Sequence, residues 1–430
     1  KKTKISKGKV VVRIMMAFLI LILLFIGSFI VDNEVKKYQE KKILEEKETI
    51  VLSIKNHYNH YVKVINDTKL YHLNNQGEYI EYGKVYKDTE VILDDISIDY
   101  LTKYFYSSDL DGYLAYDDLL PIDEISSYDD RYKRYLVFNN NVVTNDEFTL
   151  YDEDKPVYTF LESMSFPIII KDYENRYYVE YNNRLLAIKK EDVKEIINHD
   201  NTTGKNMKSI TTLCYHRVYD TTEKCTDPYV CIKKASFDKE MKYLKDNGYL
   251  TLSMKELYWY LTGKIQVSKA VTITFDDGYL YKSAEDVLAK YDLNGTIFVI
   301  SSYFDDIDTY KNLKHLDLQS HTHNMHRNYV CSGGTQGGAI LCASEQTIKE
   351  DLEKSLAKLD VEPWGLAFPF YDHNDKAIKV VKEVGFKMSF IGRAGVMGKA
   401  YPNKTYLYKI PRMTVWDESI MNFNTWKSYL

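Results

Sequence analysis

Two adjacent carboxylates, Asp276 and Asp277, end the strand-like run Thr272-Ile273-Thr274-Phe275 and are followed by Gly278. Further on, His321, His323 and His326 fall within six residues. A carboxylate and two imidazoles make a ligand set for Zn²⁺ or a similar divalent ion, with one position left open for water. The second carboxylate is then free to act as a base. Side chains alternate along a strand, so both acids share a pocket only where the strand ends and the backbone bends, which Gly278 permits. A polar turn closing a strand is the competing reading. Spacing alone does not choose the two histidines. Positions five apart lie on different sides of a helix and positions two apart share a strand face, so the ligating pair must sit on a loop.

The Thr-Phe-Asp-Asp-Gly run at 274–278 resembles the signature of the NodB-type polysaccharide deacetylases, carbohydrate esterase family 4. The separation of His321 from His326, five rather than the four usual in that family, is similar to the poly-N-acetylglucosamine deacetylases of biofilm systems. By this likeness Asp277, His321 and His326 hold the metal, Asp276 is the general base and His323 is a neighbour rather than a ligand. The segment Leu213-Cys214-Tyr215-His216-Arg217-Val218 resembles the Tyr-His stretch that opens the domain in the biofilm subgroup, which implies that His216 is the general acid. Ala367-Phe368-Pro369-Phe370-Tyr371 resembles the family's Phe-Pro-Tyr-Gly motif, implying an oxyanion role for the Phe370 amide, with Phe370 and Tyr371 standing where Tyr and Gly are usual. Ile410-Pro411-Arg412-Met413 resembles the late Pro-Arg segment, whose arginine, here Arg412, braces the acidic pair or meets substrate. The likeness covers about residues 210 to 415, in the permuted motif order of the biofilm group. It implies a divalent metal ion, Zn²⁺ first, with Ni²⁺, Co²⁺ or Fe²⁺ also compatible.

Such a site needs elements to carry it. Ser236 is a plausible N-cap before Phe237, Met241 and Leu244 at helical spacing, and Gly248 stops that helix. A helix over 284–291, an Asn294-Gly295 turn and an apolar strand over 296–300 follow. Ser344 caps a helix whose apolar face is Ile348, Leu352, Leu356 and Leu359, and Gly385 closes the next. This alternation predicts an α/β fold with a parallel sheet or barrel whose site lies on loops at the strand C-terminal ends. The resemblance makes it a distorted (β/α) NodB-type barrel over 210–430.

Upstream, 14–31 is an uncharged apolar stretch long enough to span a bilayer, preceded over 1–13 by a basic segment that favours a cytoplasmic N-terminus. No Ala-x-Ala-like site follows, which favours a retained single-pass anchor over a cleaved signal, with the catalytic domain outside the cell. Residues 32–60 read as a charged helical stalk. The regions 70–125 and 135–198 read as a weak tandem repeat of small all-β modules, similar to bacterial SH3-type domains, in which 112–119 echoes 184–193. They would bind cell wall or space the enzyme from the membrane. Residues 199–209 read as a linker.

With 57 basic and 62 acidic residues the formal charge is −5, so no polyanion footprint is present and nucleic acid is excluded as a partner. Of five cysteines, Cys225 with Cys231 and Cys331 with Cys342 are placed to close short extracellular loops, leaving Cys214 buried and unpaired. The second pair frames a glycine-rich, flexible segment positioned to cover substrate. The expected function is a membrane-anchored extracellular de-N-acetylase acting on N-acetylglucosamine units of a cell-surface polysaccharide, poly-N-acetylglucosamine being favoured. The alternatives are a peptidoglycan N-acetylglucosamine deacetylase, a catalytically silent wall-binding protein, and a metal hydrolase of another ester or phosphoester.

Overall fold

The computed structural model describes residues 7–56, 60–94, 104–125, 130–199, 204–220, 226–279, 281–392 and 398–430, with backbone alone for 7–14, 17, 20–28 and 55. The chain divides into two units, one of Lys1–Tyr128, Asn145–Met164 and Tyr181–Leu186, the other of Asp129–Thr144, Ser165–Glu180 and Ala187–Leu430.

The first unit begins with one continuous helix, Lys7–Lys55. Most side chains of the apolar stretch 14–31 lie outside the described residues, and among the described residues no helix is long and apolar enough to cross a membrane. The remainder is all-β. Thr68–Leu73 pairs antiparallel with Tyr79–Val85, which pairs with Lys155–Phe160. The segment 145–164 therefore belongs with strands from before residue 128, and the chain is not cut into successive modules at 70–125 and 135–198. Gly112–Ala115 and Arg184–Lys189 are strands that each run into one 3₁₀ turn, Tyr116–Asp118 and Lys190–Asp192.

The second unit is built on a parallel sheet of Ile210–Tyr215 (β1), Ala270–Phe275 (β2), Gly295–Val299 (β3), Leu316–Ser320 (β4), Gly365–Ala367 (β5), Met388–Ile391 (β6) and Ile410–Pro411 (β7), in that spatial order. β1, β2, β3 and β6 are buried at every position, as expected for strands covered on both faces. Leu316–Ser320 alone has an outward residue, Asp317. The closure depends on five residues. Ile410 and Pro411 pair with β6, and one residue later Met413 and Thr414 pair with β1 at Leu213 and Cys214. One stretch thus joins the last strand to the first, drawing the sheet into a nearly closed barrel with Arg412 at the seam.

Helices pack outside through the expected faces. Lys234–Asp246 buries Phe237, Met241 and Leu244 in a cluster with Tyr215 and Phe275, each such side chain worth about 1.5–3 kcal/mol. Ser344 caps Glu345–Leu359 by accepting from the Thr347 amide, and Gly385 ends Asp375–Val384 in the left-handed conformation at φ 105°. Two local expectations fail. Ser236 is inside its helix, not at the cap, because its hydroxyl is taken by Glu418 at 2.5 Å. Gly295 is the first residue of β3 rather than a turn residue, the left-handed position being Asp292 at φ 50°.

Candidate active site

In a parallel barrel the residues following each strand meet at one rim. Asp276 follows β2, His216 follows β1, His321 follows β4, and Phe368 to Tyr371 follow β5. Asp276, His216, His321, Phe370 and Tyr371 line one cleft of about 710 Å³, together with Asp277, His326 and Trp416.

The bend that brings both acids to the rim starts one residue earlier than the glycine. Asp277 itself has φ 73°, with Gly278 at 96°. An aspartate tolerates the left-handed region better than most side chains, and strained residues of this kind gather at functional sites. Asp277 turns one way and Asp276 the other. Asp277 Oδ1 lies 3.2 Å from His326 Nε2 and 3.6 Å from His321 Nε2, all three within 4.8 Å of one another. Although buried, Asp277 Oδ1 accepts no hydrogen bond. Orphaned buried carboxylate oxygens are rare and costly. Three unshared donor atoms converging on one point fit a divalent cation, so these residues suit the metal that the sequence implies.

The surroundings support that fit. His321 Nδ1 lies 2.8 Å from the Ala367 carbonyl, leaving Nε2 as the inward atom. Burial pushes His321 down to about 4, which keeps it neutral as ligation requires. The loop carrying the histidines is clamped by Asp351, whose carboxylate accepts from the His323 and Asn324 amides at 2.8 Å each. His323 turns elsewhere, its Nδ1 2.8 Å from Ser301 Oγ, and is not among the converging atoms. His326 packs its ring on Phe370 at 4.3 Å.

Asp276 is fully committed to the seam residue. Arg412 Nη1 and Nη2 donate to its two oxygens at 2.6 Å each, with both side chains buried. Burial alone would raise the Asp276 carboxyl, but the guanidinium outweighs it and holds the group below its ordinary range. Cys214, buried and unpaired, has Sγ 3.6 Å from Asp276 Oδ2, and burial pushes its thiol up to about 12. His216 stands beside Cys214 and Asp276, its Nδ1 buried without a partner.

Phe370 and Tyr371, which depart from the familiar motif, both have left-handed backbones, at φ 55° and 63°. Tyr371 keeps this conformation because its ring occupies space left by Gly392, where a Cβ would come within 2.2 Å of it. Its hydroxyl lies 2.8 Å from Thr414 Oγ1. The Tyr371 and Asp372 amides bond back to Phe368 and Pro369 at 2.9 and 3.0 Å.

Sequence reasoning missed Asp351, Tyr371 with Gly392, Asp372, His373 and the aromatic pair Tyr229 and Trp416. Asp351 left a signal, since it is an acid on the inward face between Ile348 and Leu352. The others become visible only once the strands are ordered. Cys331 and Cys342 form the expected disulfide. Cys231 is disulfide-bonded, while Cys225, its expected partner, lies outside the described residues.

Residues 264–389 match the polysaccharide deacetylase family, and the chain carries a polysaccharide deacetylase domain, a hydrolase of that class. Among curated relatives, the poly-beta-1,6-N-acetyl-D-glucosamine N-deacetylase of Staphylococcus aureus strain MRSA252 is 28% identical over 270 residues, covering 55% of this chain and 90% of that protein. Similar solved structures include IcaB from Ammonifex degensii, at 21% identity and TM-score 0.44 over 53% of this chain and 99% of that one. The Streptococcus pyogenes deacetylase PplD has the same identity and TM-score over 52% and 99%.

Proposed function

We propose that this chain is a metal-dependent de-N-acetylase that removes acetyl groups from N-acetylglucosamine units of a cell-surface polysaccharide, with poly-N-acetylglucosamine as the polymer. The observation that carries the reading is the orphaned Asp277 Oδ1 facing two imidazole nitrogens beside a second acid held elsewhere. The polymer assignment rests on the named activity of the Staphylococcus aureus relative.

Asp277, His321 and His326 would hold the ion, Zn²⁺ first among the candidates. A bound divalent cation polarises the acetamide carbonyl and lowers the pKa of an attacking water. Asp276, oriented through both oxygens by Arg412, takes the proton from that water. The Phe370 amide donates to the oxyanion, whose position the left-handed backbone sets. His216, on the same cleft, gives a proton to the departing sugar amine, without which an amide nitrogen is a poor leaving group. The apolar stretch 14–31 anchors the chain in the membrane with 1–13 inside, and the all-β region, of SH3-like character, holds the enzyme away from the bilayer or against wall polymer.

The test is acetate release from β-1,6-linked N-acetylglucosamine oligomers, compared with β-1,4-linked oligomers and peptidoglycan. Release chiefly from the β-1,6 series supports the assignment. Preference for peptidoglycan replaces the polymer, and no release from any of the three refutes the activity.

A further inference from the structure

The segment between Cys331 and Cys342, expected to be flexible, is docked instead. Where the chain enters it, the Tyr329, Val330 and Cys331 amides donate to Gln336 O at 2.7 Å, and to Gly337 O at 2.8 and 3.0 Å. Gly337, at φ 59°, lies so close that a Cβ would come within 2.1 Å of the Cys331 carbonyl. The whole turn sits on one buried carboxylate, since Asp372 accepts from the Thr335, Gln336 and Gly338 amides, the last at 2.8 Å. Asp372 follows directly on Phe370 and Tyr371. The disulfide closes the loop on itself, and the threefold backbone clamp on Asp372 ties it to the oxyanion segment.

Of the loop's exposed polar side chains, Thr335 and Gln336 line the cleft, as does His373, whose Nδ1 is held 2.9 Å from the Tyr371 carbonyl. An amide, a hydroxyl and an imidazole offer donors and acceptors suited to sugar hydroxyl and acetamide groups. Elsewhere the same cleft is lined by Tyr229 and Trp416, whose rings meet edge to face at 5.5 Å and offer apolar surface for a pyranose face. A volume of about 710 Å³ is in the upper part of the range, roughly 300–1,000 Å³, that encloses whole drug-sized ligands, and exceeds what one sugar ring fills.

We propose that the disulfide-closed loop 331–342 is a fixed wall of the cleft, and that Thr335, Gln336 and His373 grip a hexosamine ring flanking the one that is deacetylated. The inference rests on the de-N-acetylase reading and adds which residues hold the neighbouring unit of the polymer.

The experiment compares a β-linked N-acetylglucosamine hexamer with the monomer, which has no flanking ring, in wild type, Gln336→Ala, His373→Ala and Gly337→Ala, the last forcing the loop off its seat. Each variant should raise KM for the hexamer by tenfold or more and for the monomer by less than threefold, so that the preference for the longer substrate collapses. A merely structural defect lowers turnover on both alike, and an unchanged hexamer-to-monomer ratio overturns the proposal. Hexamer titration of the metal-stripped protein by isothermal calorimetry reads the wall without catalysis. Weaker binding in Gln336→Ala supports it even where acetate release fails and the enzyme reading falls, while equal binding overturns it.

Discussion

Arg412→Met strands the Asp276 carboxylate in the barrel interior. The guanidinium makes two 2.6 Å bonds to Asp276 and a third, at 3.2 Å, to Thr274 Oγ1. It also lies 5.5–5.8 Å from the rings of Phe298, Tyr371 and Phe390, among which a methionine side chain finds room. Two charge-assisted bonds at about 1.5–3 kcal/mol each, and the measured cost of breaking buried ion pairs, agree on a loss of about 3–5 kcal/mol. Asp276→Asn leaves the buried guanidinium uncompensated and sets an amide N–H₂ against one of its donors, so it also costs about 3–5 kcal/mol. Because a neutral amide is cheaper to strand than a carboxylate, adding Asp276→Asn to Arg412→Met should restore about 1–3 kcal/mol. All four tryptophans, at 259, 364, 416 and 426, lie in the second unit, so their fluorescence in urea reports that unit alone. At an m-value of about 2–3 kcal/mol/M the single change lowers the midpoint by about 1–2.5 M, and the double variant unfolds later than Arg412→Met. A double variant less stable by the full cost of Asp276→Asn would refute the coupling.

Burial pushes Glu240 up to about 8, despite the hydrogen bond donated by Tyr215 at 2.8 Å, with nearby Glu418 adding to the rise. A carboxyl raised in the folded state contributes stability that is complete below about 4.5 and lost as pH climbs to about 8. The wild-type unit should therefore melt lower at pH 8 than at pH 5, and Glu240→Gln should flatten that slope; equal slopes in thermal scans of the two proteins would contradict it. Gly392→Ala drives a methyl into the Tyr371 ring and should cost about 1–3 kcal/mol, with recovery on adding Tyr371→Gly. A neutral Gly392→Ala in the same urea assay would show that the ring is free to move.

The acids, the histidine loop and the helix caps at Ser344 and Gly385 were legible because each is a local pattern. A strand ending in two carboxylates, a hydroxyl before an amphipathic run and a glycine after one act through neighbours in sequence. Arg412 was placed by resemblance, and its reason is topological, since residues 410–414 pair with a strand on each side. Tyr371 stands where glycine is usual, and Gly392, twenty-one positions later, supplies the space its ring needs. Ser236 carried a cap signal overridden by Glu418, distant in sequence. In the first unit the expected pair of modules followed chain order, but antiparallel pairing between 79–85 and 155–160 does not.

The central claim is that Asp277, His321 and His326 grip one cation beside Asp276, which does not bind it. Metal content by mass spectrometry, measured alongside acetate release on the same purified samples, tests it directly. Asp277→Ala should lose metal and activity together, whereas Asp276→Asn should retain close to one ion per chain and lose turnover by 100-fold or more. Equal metal loss in both variants, or full metal retention in Asp277→Ala, would contradict the account.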